Sequence, residues 1–143
     1  MHTAKGLEFR AVAVMGWNRD WNDENAYGHR PFHEGDSGKP NEAFWNHADW
    51  LINKAKEHDL YIALLPAWGS YWGKHATVEY AEWITNRYRG FENIIWVNGG
   101  DRKVGDSKAI FNELGSKFNT DEDALITFHP RGGDPSSEHF HQE

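Results

Sequence analysis

The chain has 143 residues, 38% of them hydrophobic, and a formal net charge of −7. That length suits one domain of ordinary size, spanning residues 1–143, and the acidic balance argues against nucleic acid or an anionic membrane as the main partner, since both demand a basic face. There is no cysteine, which excludes a disulfide framework and a thiolate nucleophile, and no apolar run approaches the roughly 20 residues of a membrane span.

The first strand-like run is Phe9–Met15, preceded by a start, Met1–Gly6, that lacks the apolar middle of a signal peptide. Residues 16–40 follow as a long loop containing Trp17, Trp21 and Tyr27; structureless loops of that length are usually functional or disordered, and its aromatics speak against simple disorder. The next segment, Glu42 to Lys56, carries Phe44, Trp45, Ala48, Leu51, Ile52 and Ala55 at a period near 3.6, which predicts a helix capped by Asn41. Leu60–Leu65 reads as a strand. Thr77 can cap a second helix through about Tyr88, with Val78, Ala81, Ile84 and Tyr88 inward. Asn93–Asn98 is a continuous apolar run stopped by Gly99-Gly100, the pattern of a strand buried on both faces of a parallel sheet. Asp106 or Ser107 can cap a third helix through about Phe118, and Ala124–His129 is a fourth strand. The order β-α-β-α-β-α-β implies an α/β fold: four parallel strands built from βα repeats.

In that architecture all four strand ends lie on one face, where α/β proteins place their chemistry. The first ends at Gly16-Trp17-Asn18, the second at Pro66-Ala67-Trp68-Gly69 with Trp72 close behind. The third ends at Asn98-Gly99-Gly100-Asp101-Arg102 and the fourth at His129-Pro130-Arg131. Aromatic plates beside amides, a carboxylate, an imidazole and guanidiniums suit a sugar ring, which has apolar C–H faces and a polar rim. Any one of these tryptophans alone fits core packing, and Asp101 alone fits a turn residue capping the next helix. Their repetition at several strand ends favours a carbohydrate site.

Cleavage of a glycosidic bond usually takes two carboxylates, one protonating the leaving oxygen and one acting as nucleophile or base. Asp101 is the best-placed acid. Asp20, Asp23, Glu24, Asp134 and Glu138 are loop carboxylates with weaker claims, Glu138 being taken as the second catalytic candidate. Arg102, beside Asp101, can lower its pKa or point elsewhere. Glu138, His139 and His141 resemble a metal-ligand cluster but lack a diagnostic spacing, so no metal or other cofactor is expected. A strand–Gly-x-Ser-x-Gly–helix elbow and a phosphate-binding glycine loop are both absent from the sequence.

Several longer motifs carry a resemblance. Lys5-Gly6-Leu7-Glu8-Phe9, Asn25-Ala26-Tyr27-Gly28, Pro31-Phe32 and Pro40-Asn41-Glu42-Ala43-Phe44 form one set. Leu64-Leu65-Pro66-Ala67-Trp68-Gly69, the stretch Asn93 to Arg102, and Ile126-Thr127-Phe128-His129-Pro130-Arg131-Gly132-Gly133 form another. Together they resemble the apiosidase-like glycoside hydrolases, a (β/α)8-barrel family, over nearly the whole chain. The resemblance implies that the strands correspond to the second to fifth of a TIM barrel, a partial or half barrel. It implies that Asp101, at the end of the fourth barrel strand, is the acid/base, and that the nucleophile belongs to a seventh strand outside this sequence. It also implies a secreted or periplasmic setting.

The expectation is a glycosidase, or a fragment of one, acting on plant-type polysaccharide, with no nucleic-acid or membrane partner. Asp101 would donate the proton; Trp17, Trp68 and Trp72 would stack on sugar; Asn18, Asn98, Arg102, His129 and Arg131 would hydrogen-bond it. An open four-stranded parallel sheet leaves bare edges, so a homodimer or higher homo-oligomer closing the barrel is expected. The rival is a non-catalytic sugar-binding half-barrel lacking the second carboxylate. A third reading, a metal hydrolase using the His-rich tail, predicts activity lost to chelator.

Overall fold

The computed structural model describes residues 12–16, 23–69, 72, 76–102, 108–119 and 124–133, with 12–16 and Arg102 described by their backbone only. The strands are β1 (Val12–Gly16), β2 (Tyr61–Leu65), β3 (Ile94–Arg102) and β4 (Leu125–Pro130); the helices are α1 (Glu42–Glu57), α2 (Val78–Arg87) and α3 (Lys108–Phe118). The strands form one parallel sheet in the order β1-β2-β3-β4, and a helix lies between each consecutive pair. A parallel neighbour requires a crossover long enough to hold such a helix.

Helices α1 and α2 begin, and α1 ends, for local reasons. The Asn41 side chain accepts a hydrogen bond from the Ala43 N–H at 3.2 Å, satisfying one orphan donor at the start of α1. Phe44, Trp45, Ala48, Ile52 and Ala55 then fall on one buried face. The helix stops as Asp59 enters the left-handed region at φ 56, and the Leu60 N–H turns back to the Ala55 carbonyl at 2.9 Å. Thr77 caps α2 in the same way, its hydroxyl accepting from the Tyr80 N–H at 3.2 Å.

The helices cover one face of the sheet. Trp45, Ile52, Tyr80, Ile84, Phe111, Leu114 and Phe118 pack there against Ile62, Leu64, Ile94 and Trp96. The intervening strand residues Ala63, Leu65 and Val97 form a separate cluster on the opposite face, joined by Trp68. This alternation follows from the pleat.

The described part of the long loop, 23–40, is structured, in keeping with its aromatic content. Phe32 is buried between the Trp45 and Tyr80 rings, at centroid distances of 5.7 and 5.4 Å. Phe32 and Pro40 form an antiparallel bridge, and a 3-10 turn spans His33–Gly35. Trp45 Nε1–H donates to the Pro31 carbonyl at 2.8 Å. One inserted aromatic ring and a few backbone bonds therefore fasten the segment to the helix layer.

Helices α1 and α2 are joined by Arg87. Its Nε and Nη2 donate to both carboxylate oxygens of Asp49 at 3.0 and 2.9 Å, and Nη1 donates to both oxygens of Glu42 at 3.1 and 3.0 Å. The guanidinium also lies 5.5 Å from the Trp83 ring centroid. Burial works against its charge, but the hydrogen bonds it donates to Asp49 and Glu42 outweigh that and raise the pKa above its ordinary value. Replacing Arg87 with Met should lower the stability by about 2 kcal/mol, because Asp49 is left half-buried without its partner. Glu42→Gln should cost less than about 0.5 kcal/mol, since that carboxylate is largely exposed. Urea unfolding of the two variants checks both values.

Candidate functional site

Because the sheet is parallel, the carboxyl ends of β1 to β4 share one rim. The sequence suggested that β3 ends at the two glycines and that Asp101 follows it. Instead β3 continues to Arg102, which pairs with Pro130, whereas Gly99 pairs with His129. Three steps along β3 thus face a single step along β4, and Gly100 and Asp101 bulge out of the ladder. The backbone makes this possible at φ 95 for Gly99 and 114 for Gly100, values that side-chain-bearing residues rarely adopt. Asp101 itself sits in the left-handed region at φ 49.

The glycines also let neighbouring chains approach. A Cβ on Gly99 would lie 2.5 Å from the His129 carbonyl oxygen and 2.9 Å from the Phe128 ring. One on Gly100 would lie 2.6 Å from the Gly69 nitrogen and 3.2 Å from the Trp68 side chain. The bulge is therefore wedged between the segment following β2 and the end of β4. This brings the expected residues of three strand ends together.

Asp101 is presented to solvent, its side chain 55% exposed, with Oδ1 3.9 Å from Nδ1 of His129. His129 Nδ1 is also 3.1 Å from the Pro130 carbonyl oxygen. The His129 ring stands 5.7 Å from the half-buried Trp68 ring, tilted at 52°. Phe128 packs with Phe111 on the helix side, so the pleat turns His129 to the other face, where Trp68 lies. Arg131 follows on the exposed turn beyond β4. This corner offers a carboxylate, an imidazole and an aromatic face within one small patch.

Two expected sugar contacts are corrected. Trp72, taken as a stacking plate, is 5% exposed and packs in the helix-side core, its ring 6.0 Å from Tyr80. Asn98, taken as a sugar donor, is also 5% exposed. Its Nδ2 donates to the Phe111 carbonyl at 2.7 Å and its Oδ1 accepts from the Gly99 N–H at 2.9 Å. Asn98 thus ties α3 to the base of the bulge, on the same face as Trp96, and supports Asp101 rather than joining the rim. The buried tyrosine of α2 plays a comparable part: Tyr80 O–H donates to the Pro66 carbonyl at 2.8 Å, two residues before Trp68. Neither anchor was expected, and an alternating reading of β3 from Trp96 would have pointed Asn98 to the helices.

Trp17, Asn18 and Glu138 lie outside the described residues, as do Asp20, Asp134, His139, His141 and the Arg102 side chain. Among the described loop carboxylates, Glu24 is engaged by Arg30 at 3.3 Å. No group of three His, Asp or Glu side chains among the described residues is placed to hold a metal ion. Gly100→Ala should destabilise the fold by about 2–4 kcal/mol, since the added Cβ meets backbone at an unfavourable φ. Gly115→Ala is the control: it lies inside α3 with 3.8 Å to the nearest atom and should stabilise by about 0.5–1 kcal/mol. Denaturant midpoints of the pair decide this.

Comparisons with known proteins agree on the scaffold. A solved glycoside hydrolase family 5 protein from Bacteroides vulgatus is 25% identical and superposes with a TM-score of 0.78 over 92% of this chain and 31% of that one. A second solved structure, described as a glycoside hydrolase, is 30% identical with a TM-score of 0.63, over 76% of this chain and 27% of the other. The chain thus spans about a third of the length of these neighbours, and its fold is that of a partial TIM barrel. No curated protein matches. The profile of the apiosidase-like catalytic domain matches residues 2–143, and the chain belongs to that family of glycoside hydrolases.

Proposed function

We propose that this chain carries the proton-donor part of a glycosidase site acting on plant-type polysaccharide. The observation that supports it most is Asp101, lifted out of the β3 ladder into solvent beside His129 and Trp68. In this reading the Asp101 carboxyl gives its proton to the leaving glycosidic oxygen as the C–O bond breaks, and water supplies the hydroxyl to the sugar. Trp68 offers its face to the sugar ring, with Trp17 as a second plate. His129, Arg131, Asn18 and Arg102 hydrogen-bond the hydroxyl rim. Glu138 is the candidate for the second carboxylate.

The reading includes a closed sheet. Strand β4 leaves Leu125 and Ile126 exposed at 43% and 40%, on opposite faces of its pleat, and its outer edge has no partner among the described residues. A parallel strand normally has both faces covered. Two copies of this chain would bring eight strands to one barrel.

Asp101→Asn should lower hydrolysis of β-glucan, xylan or pectin side chains by roughly 10²- to 10⁴-fold while leaving sugar binding in place. Sugar binding without hydrolysis by the unaltered chain would favour a binding half-barrel, and loss of activity to chelator would favour a metal hydrolase. Light scattering in dilute solution should give twice the chain mass, and a stable folded monomer would overturn the paired barrel.

A further inference from the structure

The His129 ring has two different nitrogens, and the structure distinguishes them. Nδ1 lies 3.1 Å from the Pro130 carbonyl oxygen and 3.9 Å from Asp101 Oδ1. A carbonyl oxygen can only accept, so the contact is a hydrogen bond only when Nδ1 carries the proton. In the neutral ring Nε2 is then the bare nitrogen, because the partner of one ring nitrogen sets the state of the other. Nε2 has no hydrogen-bond partner among the described residues, and the side chain is 47% exposed on the rim shared with Trp68.

We propose that neutral His129 is a fixed hydrogen-bond acceptor, held as the Nδ1–H tautomer by the Pro130 carbonyl, and that its Nε2 accepts from a hydroxyl of the bound sugar. This deepens the glycosidase reading and rests on it for the identity of the ligand. It makes sugar binding depend on pH in a defined sense. A ring protonated on both nitrogens can only donate, so it offers no acceptor and holds the sugar less well. The groups packed about the ring are Asp101 from β3, the uncharged Trp68 from the segment after β2, and the Pro130 carbonyl of β4 itself. Among the described residues, Asp101 is the one charged side chain in contact with His129. Asp101 governs proton donation, whereas His129 governs how well the sugar is held. Their effects therefore separate between kcat and KM.

The test uses the full chain labelled with 15N. The His129 resonances are identified among the nine histidines by their absence in His129→Gln. At a pH where the ring is neutral, Nδ1 should show the shift of a protonated ring nitrogen and Nε2 that of an unprotonated one. An Nε2–H ring, or an average of both forms, overturns the proposal. Calorimetry against oligosaccharides from β-glucan, xylan and pectin should then show affinity falling roughly 3- to 10-fold once both ring nitrogens are protonated, as the same resonances report. In His129→Gln, where an amide stands near the Nε2 position without titrating, that fall should vanish. If the fall persists in the variant, the acceptor role is overturned. If no oligosaccharide binds at any pH while the tautomer is Nδ1–H, the carbohydrate reading fails along with the ligand assigned to Nε2, and the locked ring stands.

Discussion

The close approach of three backbones at Gly99 and Gly100 is the constraint on which the candidate site depends. On one side the Gly99 Cα faces the His129 carbonyl, and on the other Gly100 faces the Gly69 nitrogen. No side chain fits in either gap. The same contact that excludes a Cβ aligns the end of β2, the bulge of β3 and the end of β4, so packing and site geometry have one cause. Asp101 emerges at the point where ladder pairing is broken, which lifts its carboxylate out of the ladder beside His129.

Beneath this contact the support is polar and buried. Asn98 holds the bulge amide and the α3 backbone with one side-chain amide. Asn93 does similar work at the opposite end of β3, donating to the Ile52 and Leu60 carbonyls at 3.1 and 3.3 Å. Each end of the strand is therefore tied to the helix layer by an asparagine. Buried amides of this kind are stabilising only when partnered, and they specify one arrangement more sharply than apolar contacts can.

Most of the architecture was legible in the amino-acid order. The helices stand where 3.6-residue periodicity and the caps Asn41 and Thr77 put them, because amphipathic periodicity is a local signal. The strands of a parallel sheet are legible as apolar runs, but the run hides which face each residue takes, since both faces are apolar. That is why Asn98 was expected at the rim and lies under it. Trp72 misled for a related reason: proximity in sequence to a strand end does not say whether a ring turns toward the mouth or back under the helices. The continuation of β3 through its glycines was not legible, because a bulge depends on the neighbouring strand as much as on its own residues. The packed state of residues 23–40 depends on a single insertion, Phe32, which no periodicity announces.

That insertion links distant parts of the molecule. Phe32 packs on Tyr80, Tyr80 holds the Pro66 carbonyl, and Pro66 leads within two residues to Trp68 beside His129. The loop and the rim are thus joined by a continuous chain of contacts. Variation in the loop has a physical route to the rim that touches no residue there. A change of ring at Phe32 therefore reaches the segment that carries Trp68 through packing alone, with every rim residue left in place.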